Sequence, residues 1–83
     1  MSIQKAKISV KLRDAMEIYR DRTGIRLTYA SLSQATGIAE DTLQSLAARP
    51  DYNTRLSTIA RLCAALDCQP ADLLELSGDA RED

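Results

Sequence analysis

The sequence predicts an all-α fold, a compact five-helix domain with a helix-turn-helix near its middle. Three observations lead there. From Ile8 onward, apolar residues recur at three- and four-residue intervals through most of the chain. Two helical stretches of about eight residues each are joined by a short turn containing Gly37. No strand-rich region, internal repeat or low-complexity stretch breaks the pattern.

The elements follow in order. Ile8, Leu12, Ala15, Met16 and Tyr19 set one apolar stripe on a first helix that Gly24 ends, although Ile8, Val10 and Leu12 also alternate over a stretch short enough to allow a strand. Thr28 reads as an N-cap, its hydroxyl placed to accept from an unpaired backbone N–H, and Tyr29 to Thr36 carries Leu32 and Ala35. Gly37 closes that helix. The third has Glu40 and Asp41 in its first turn and Leu43, Leu46 and Ala47 on its inner face. Pro50, Asp51 and Asn53 supply turn chemistry before a fourth helix from Leu56 to about Leu66, with Ile59, Leu62, Cys63 and Leu66 as its stripe. Pro70 suits the first position of a last short helix, Ala71 to Leu76, whose Leu73, Leu74 and Leu76 can close the core or meet another subunit. The expected organisation is a flexible basic arm over 1–7, the helix-turn-helix domain over 8–76 and an acidic tail over 77–83.

At 83 residues there is material for one core, and a domain this small buries only about 60% of the surface its unfolded chain exposes, so a partner subunit would add stability. With three Tyr and neither Phe nor Trp, that core is aliphatic. The net charge of −1 hides an asymmetry: Met1 to Arg26 has seven basic and three acidic residues, whereas Asp67 to Asp83 has one basic and six acidic. One end can face a polyanion and the other cannot. No apolar run approaches the roughly 18 residues a membrane span needs, and Met1 to Val10 is too polar for a signal peptide, which points to the cytoplasm. Cys63 and Cys68 match neither a redox pair nor zinc-ligand spacing, and the chain has no His, so no metal or cofactor is expected. Without a His base, a glycine-rich phosphate loop or a nucleophile signature, an enzyme is the weakest reading.

The stretch Leu27-Thr-Tyr-Ala-Ser-Leu-Ser-Gln-Ala-Thr-Gly-Ile38, followed by Asp41-Thr-Leu-Gln-Ser-Leu46, resembles the Cro/repressor-like (XRE-type) helix-turn-helix family of lambda-repressor-like domains. Leu56-Ser-Thr-Ile-Ala-Arg-Leu-Cys-Ala-Ala-Leu66 and Asp67-Cys-Gln-Pro-Ala-Asp-Leu-Leu74 look like that family's fourth helix and ending, so the likeness covers about Ile8 to Leu76. The resemblance implies that the second helix crosses a DNA backbone while the third enters the major groove. Glu40, Asp41, Gln44 and Ser45 then become base-reading candidates, with Gln44 suited to adenine. Thr28, Tyr29 and Thr42, with Arg49, Asn53, Thr54 and Arg55 of the following loop, fall where the family contacts phosphate.

Two departures stand out. Tyr29 replaces the family's common Gln, and its phenolic hydroxyl can still donate to a phosphate. No Lys or Arg lies between Leu27 and Ala48, while Glu40 and Asp41 bring two carboxylates to the duplex. Those carboxylates either interact with the helix dipole alone or accept from cytosine N4. Lys11, Arg13, Arg20, Arg22 and Arg26 interleave with Asp14, Glu17 and Asp21 as in ordinary surface ion pairs, whereas Lys5, Lys7 and Lys11 lack nearby acids and can grip phosphate. The leading expectation is a sequence-specific transcriptional regulator, a repressor bound to double-stranded DNA as a homodimer with recognition helices about 34 Å apart. The alternative is a helix-turn-helix protein-interaction module, antitoxin-like or adaptor, with weak or no DNA binding.

Overall fold

A computed structural model describes residues 7–49 and 52–77. Strand β1 (Lys7–Val10) leads into α1 (Leu12–Thr23), α2 (Tyr29–Thr36), α3 (Glu40–Ala48), α4 (Leu56–Leu66), α5 (Pro70–Leu73) and strand β2 (Leu74–Ser77). Five helices are thus present, with a two-stranded antiparallel ribbon added. Seven leucines, Leu12, Leu32, Leu43, Leu46, Leu62, Leu66 and Leu73, are fully buried and draw one residue or more from every helix. Among the described residues no polar or charged side chain is buried. Burying apolar surface alone, without the desolvation cost of a trapped polar group, suits a domain with so little interior. Of the arm expected over 1–7 and the tail expected over 77–83, residues 1–6 and 78–83 lie outside the described residues, as do the turn residues Pro50 and Asp51, whereas Lys7 and Ser77 belong to the two strands.

The ribbon corrects two expectations. The first helix begins at Leu12 and not at Ile8, and the last ends at Leu73 and not at Leu76. In their place Ile8 pairs with Leu76 and Val10 with Leu74, and the ladder is extended by the Lys11 N–H donating to the Leu73 carbonyl at 2.7 Å. Each segment satisfies the backbone groups that the other exposes, which neither could do as a single extra helical turn. With a side-chain period of two, Ile8, Val10, Leu74 and Leu76 share one face. That face is buried at Val10 and leaves the core at its far end, where Ile8 is 51% and Leu76 69% exposed. Leu76 therefore does not close the core.

Helix ends are set locally. Gly24 and Gly37 take left-handed conformations, φ 78° and 77°, and stop α1 and α2 as expected. The end of α4 uses Asp67 in the same region at φ 52°, where an L side chain is strained. Arg22 crosses from α1 to bond this end, its guanidinium donating to the Leu66 carbonyl at 3.0 Å and the Asp67 carbonyl at 3.2 Å. A cation there also complements the α4 dipole. Asp67→Gly keeps that carbonyl and removes the strain. We expect it to raise stability by about 0.5–1 kcal/mol. The gain should appear in a thermal melt as an increase of roughly 2–8 °C, and a lower melting temperature would contradict the strain argument.

The two cysteines fall beside this corner and are unlinked. The Cys68 N–H donates to the Cys63 carbonyl at 3.0 Å. Burial first, and then the neighbouring Cys63, push the Cys68 thiol from its ordinary 9.0 up to about 11, so it stays protonated at neutral pH. Among the described residues no cluster of three His, Cys, Asp or Glu side chains could hold a metal ion, and no helix is long and apolar enough to cross a membrane.

Candidate nucleic-acid interface

The helix-turn-helix is fixed by short-range bonds that its sequence dictates. Thr28 caps α2, its Oγ1 accepting from the Ser31 N–H at 3.0 Å while Ser31 Oγ accepts from the Thr28 N–H at 2.8 Å. This reciprocal arrangement pairs two amides that would otherwise lack partners. At the other end the Gly37 N–H reaches the Ser33 carbonyl at 2.8 Å, and Thr36 Oγ1 links the Leu32 carbonyl at 2.7 Å to the Ile38 N–H at 3.1 Å. Ile38 itself is buried. The turn into α3 is therefore bonded on its polar side and packed on its apolar side.

Helix α3 presents two different faces. Leu43 and Leu46 are 0% exposed and bind it to the core, whereas Glu40, Asp41, Gln44 and Ala48 are exposed. Glu40, Gln44 and Ala48 stand four residues apart and form one outward row. Thr42 and Ser45 are half-buried at its margins, so Ser45 offers less to a partner than Gln44 does. Ala39 precedes the helix without a side-chain cap, which leaves the Glu40 and Asp41 carboxylates as the local negative charge beside the free amides of the first turn.

The remaining candidates divide into two groups. Thr28 and Tyr29 sit together at the start of α2, but the Thr28 hydroxyl is already engaged with Ser31, and the half-buried Tyr29 packs against the core. Beyond α3, Arg49 is exposed and lies over the Tyr52 ring, 4.7 Å from its centroid. Such stacking holds the guanidinium in place without neutralising it. Arg55 is exposed at the start of α4, its carbonyl accepting from the Thr58 and Ile59 amides. Asn53 and Thr54 instead line a recess of about 600 Å³ between the ribbon and α4, shared with Ile8, Val10, Leu56 and Leu74. Of these four loop residues Arg49, Asn53 and Arg55 are exposed and Thr54 is half-buried.

A sequence profile for the Cro/C1-type helix-turn-helix DNA-binding domain matches residues 17–79, the stretch that holds the capped second helix, the glycine turn and the two-faced third helix. The chain belongs to this family. The resemblance read from Leu27 to Leu46 is thereby confirmed. An uncharacterized HTH-type transcriptional regulator of Bacillus subtilis (strain 168), YozG, is 37% identical over 54 residues, which are 65% of this chain and 64% of that protein. The similarity thus spans a little under two thirds of the relative's length. The crystal structure of the transcriptional regulator VanUg superposes with a TM-score of 0.66, covering 94% of this chain and 95% of that one at 22% identity, and so shares the fold.

Proposed function

We propose that this Cro/C1-type domain is a sequence-specific transcriptional regulator that places α3 in the major groove and acts as a repressor where its site overlaps a promoter. The observation that carries the reading is the exposure of Gln44 on a helix whose opposite face is locked by Leu43 and Leu46. A rigid helix with a free amide can pair in two bonds with adenine N6 and N7, and such a pair discriminates by about 1–3 kcal/mol. Glu40, Asp41 and Ser45 flank it as further base readers, one carboxylate accepting from cytosine N4. Thr28, Tyr29, Thr42, Arg49, Asn53, Thr54 and Arg55 contribute to the backbone side, with Arg49 and Arg55 the charged members of that set.

The working form is a homodimer in the cytoplasm. Ile8 on the ribbon and Leu56 on α4, 81% exposed, line the recess, Leu76 is paired with Ile8, and a second copy packed on these three exposed side chains would remove their surface from water. Two-fold symmetry then demands a palindromic site whose half-sites are about one helical turn apart. Selection from a random double-stranded DNA pool at low salt is expected to enrich such a palindrome, and sedimentation of the complex is expected to give two chains per duplex. Failure to enrich any sequence would overturn the proposal. One observation favours a protein-interaction module: α2 and α3 carry no cation, while Glu40 and Asp41 are exposed. Under that reading the pool stays unbound, and a protein partner protects Glu40 and Asp41.

A further inference from the structure

We propose that Arg13, Arg20 and Arg26, gathered around Tyr29, form the main phosphate-binding cleft of the domain and seat the DNA backbone beside the groove that α3 enters. The inference rests on the DNA-binding reading and supplies the charge that α2 and α3 lack. A recess of about 230 Å³ is lined by these three arginines with Met16, Glu17, Leu27 and Tyr29. Arg13 and Arg20 are seven residues apart on α1, nearly two turns, and so project from one face. Arg26 reaches the same recess from the connection between α1 and α2, and Tyr29 is the first residue of α2. Three separate stretches of chain thus converge on one hollow.

Charge sorting supports a polyanion as occupant. The lining carries three guanidinium groups and one carboxylate, Glu17, a formal +2. Arg22, on the same helix, is directed elsewhere, to the carbonyls at the end of α4. The three cleft arginines are exposed, so they give up little hydration until a ligand arrives. Planar guanidinium forks match phosphate oxygens in paired bonds, and a phenolic O–H can donate a further one. Glu17 opposes an anion, but it is one carboxylate against three guanidinium groups, so the lining stays net positive. The cleft lies at the start of α2, which packs against α3, and in a helix-turn-helix that first helix is the one that crosses the backbone.

The test is fluorescence anisotropy of the full chain on a labelled duplex across a salt series, with wild type and Arg13→Gln/Arg20→Gln/Arg26→Gln. Each phosphate released from the cleft should reduce the slope of log affinity against log salt by about 0.9, which is roughly tenfold in affinity at 0.1 M salt. Relative preference among duplex sequences should stay as in wild type, because a phosphate contact carries no base identity. The single changes Arg13→Gln and Arg26→Gln, both at exposed positions, give the same readout should the triple variant melt early. A folded variant with unchanged slope and affinity overturns the cleft and leaves the DNA reading standing, as does a variant whose base preference changes. A wild-type chain that binds no duplex overturns both.

Discussion

Leu46→Ala is expected to cost about 2–5 kcal/mol and to abolish DNA binding at temperatures where the wild-type domain is folded. Leu46 has no exposed surface, and together with Leu43 it is what fastens α3 to the core. Truncation removes its transfer energy and leaves a void that neighbouring leucines, themselves fully buried, fill only in part. At roughly 0.05–0.15 kcal/mol per residue, a chain of 83 residues has about 4–12 kcal/mol in total, so this one side chain represents a large share of it. A melt followed by circular dichroism should fall by ten degrees or more, at roughly 4–8 °C per kcal/mol. Leu56→Ala is the internal comparison. Leu56 is 81% exposed, and its truncation should leave monomer stability within about 0.5 kcal/mol. Equal effects at the two positions would mean that α3 is not seated as described.

The contrast between Leu46 and Leu56 also shows what the sequence made legible. Where the apolar residues of a stretch fit only one period, the helix is read correctly: α2 over Tyr29–Thr36, between the Thr28 cap and Gly37, α3 from Glu40 and α4 over Leu56–Leu66 all match. The errors fall where two periods fit equally. Ile8 and Leu12 are four residues apart, a separation that both a helix and a strand place on one face. Leu73 and Leu76 suit a helix, whereas Leu74 and Leu76 suit a strand, and four-residue segments give no further repeats to decide between them. The partner decides, because Lys7–Val10 and Leu74–Ser77 become strands by pairing with each other across more than sixty residues of chain. No local pattern contains that information.

The candidate interface was legible to a similar degree. Spacing put Leu43 and Leu46 on the inner face of α3, the family resemblance added Gln44 as a candidate on that helix, and the structure leaves Gln44 exposed. Charge was harder to place. Along the sequence Arg13, Arg20 and Arg22 look equivalent, each near an acidic neighbour. In space Arg22 closes the end of α4, whereas Arg13 and Arg20 join Arg26 around Tyr29. Distances between helices separate these roles, and a one-dimensional reading has none.

Neutralising the first turn of α3 is expected to exchange selectivity for affinity. Glu40→Gln with Asp41→Asn removes two negative charges from the helix end that the proposed binding mode turns toward the duplex. A carboxylate about 7 Å from a phosphate is repelled by roughly 0.5 kcal/mol in water before salt screening, so several such pairs together should raise binding to random DNA several-fold at low salt. At the position where a carboxylate accepts from cytosine N4, preference should weaken by about 1–3 kcal/mol, because an amide can turn a donor toward other bases. The helix loses its dipole partners at the same time. Since Ala39 provides no side-chain cap, that loss is expected to be about 0.3–1 kcal/mol for each charge, visible in the melt. Competition binding with single-base variants of the selected site measures the first two effects separately. Unchanged affinity and unchanged preference, accompanied by the lower melting temperature, would reduce both carboxylates to a helix-stabilising role and leave Gln44 as the main reader on that face.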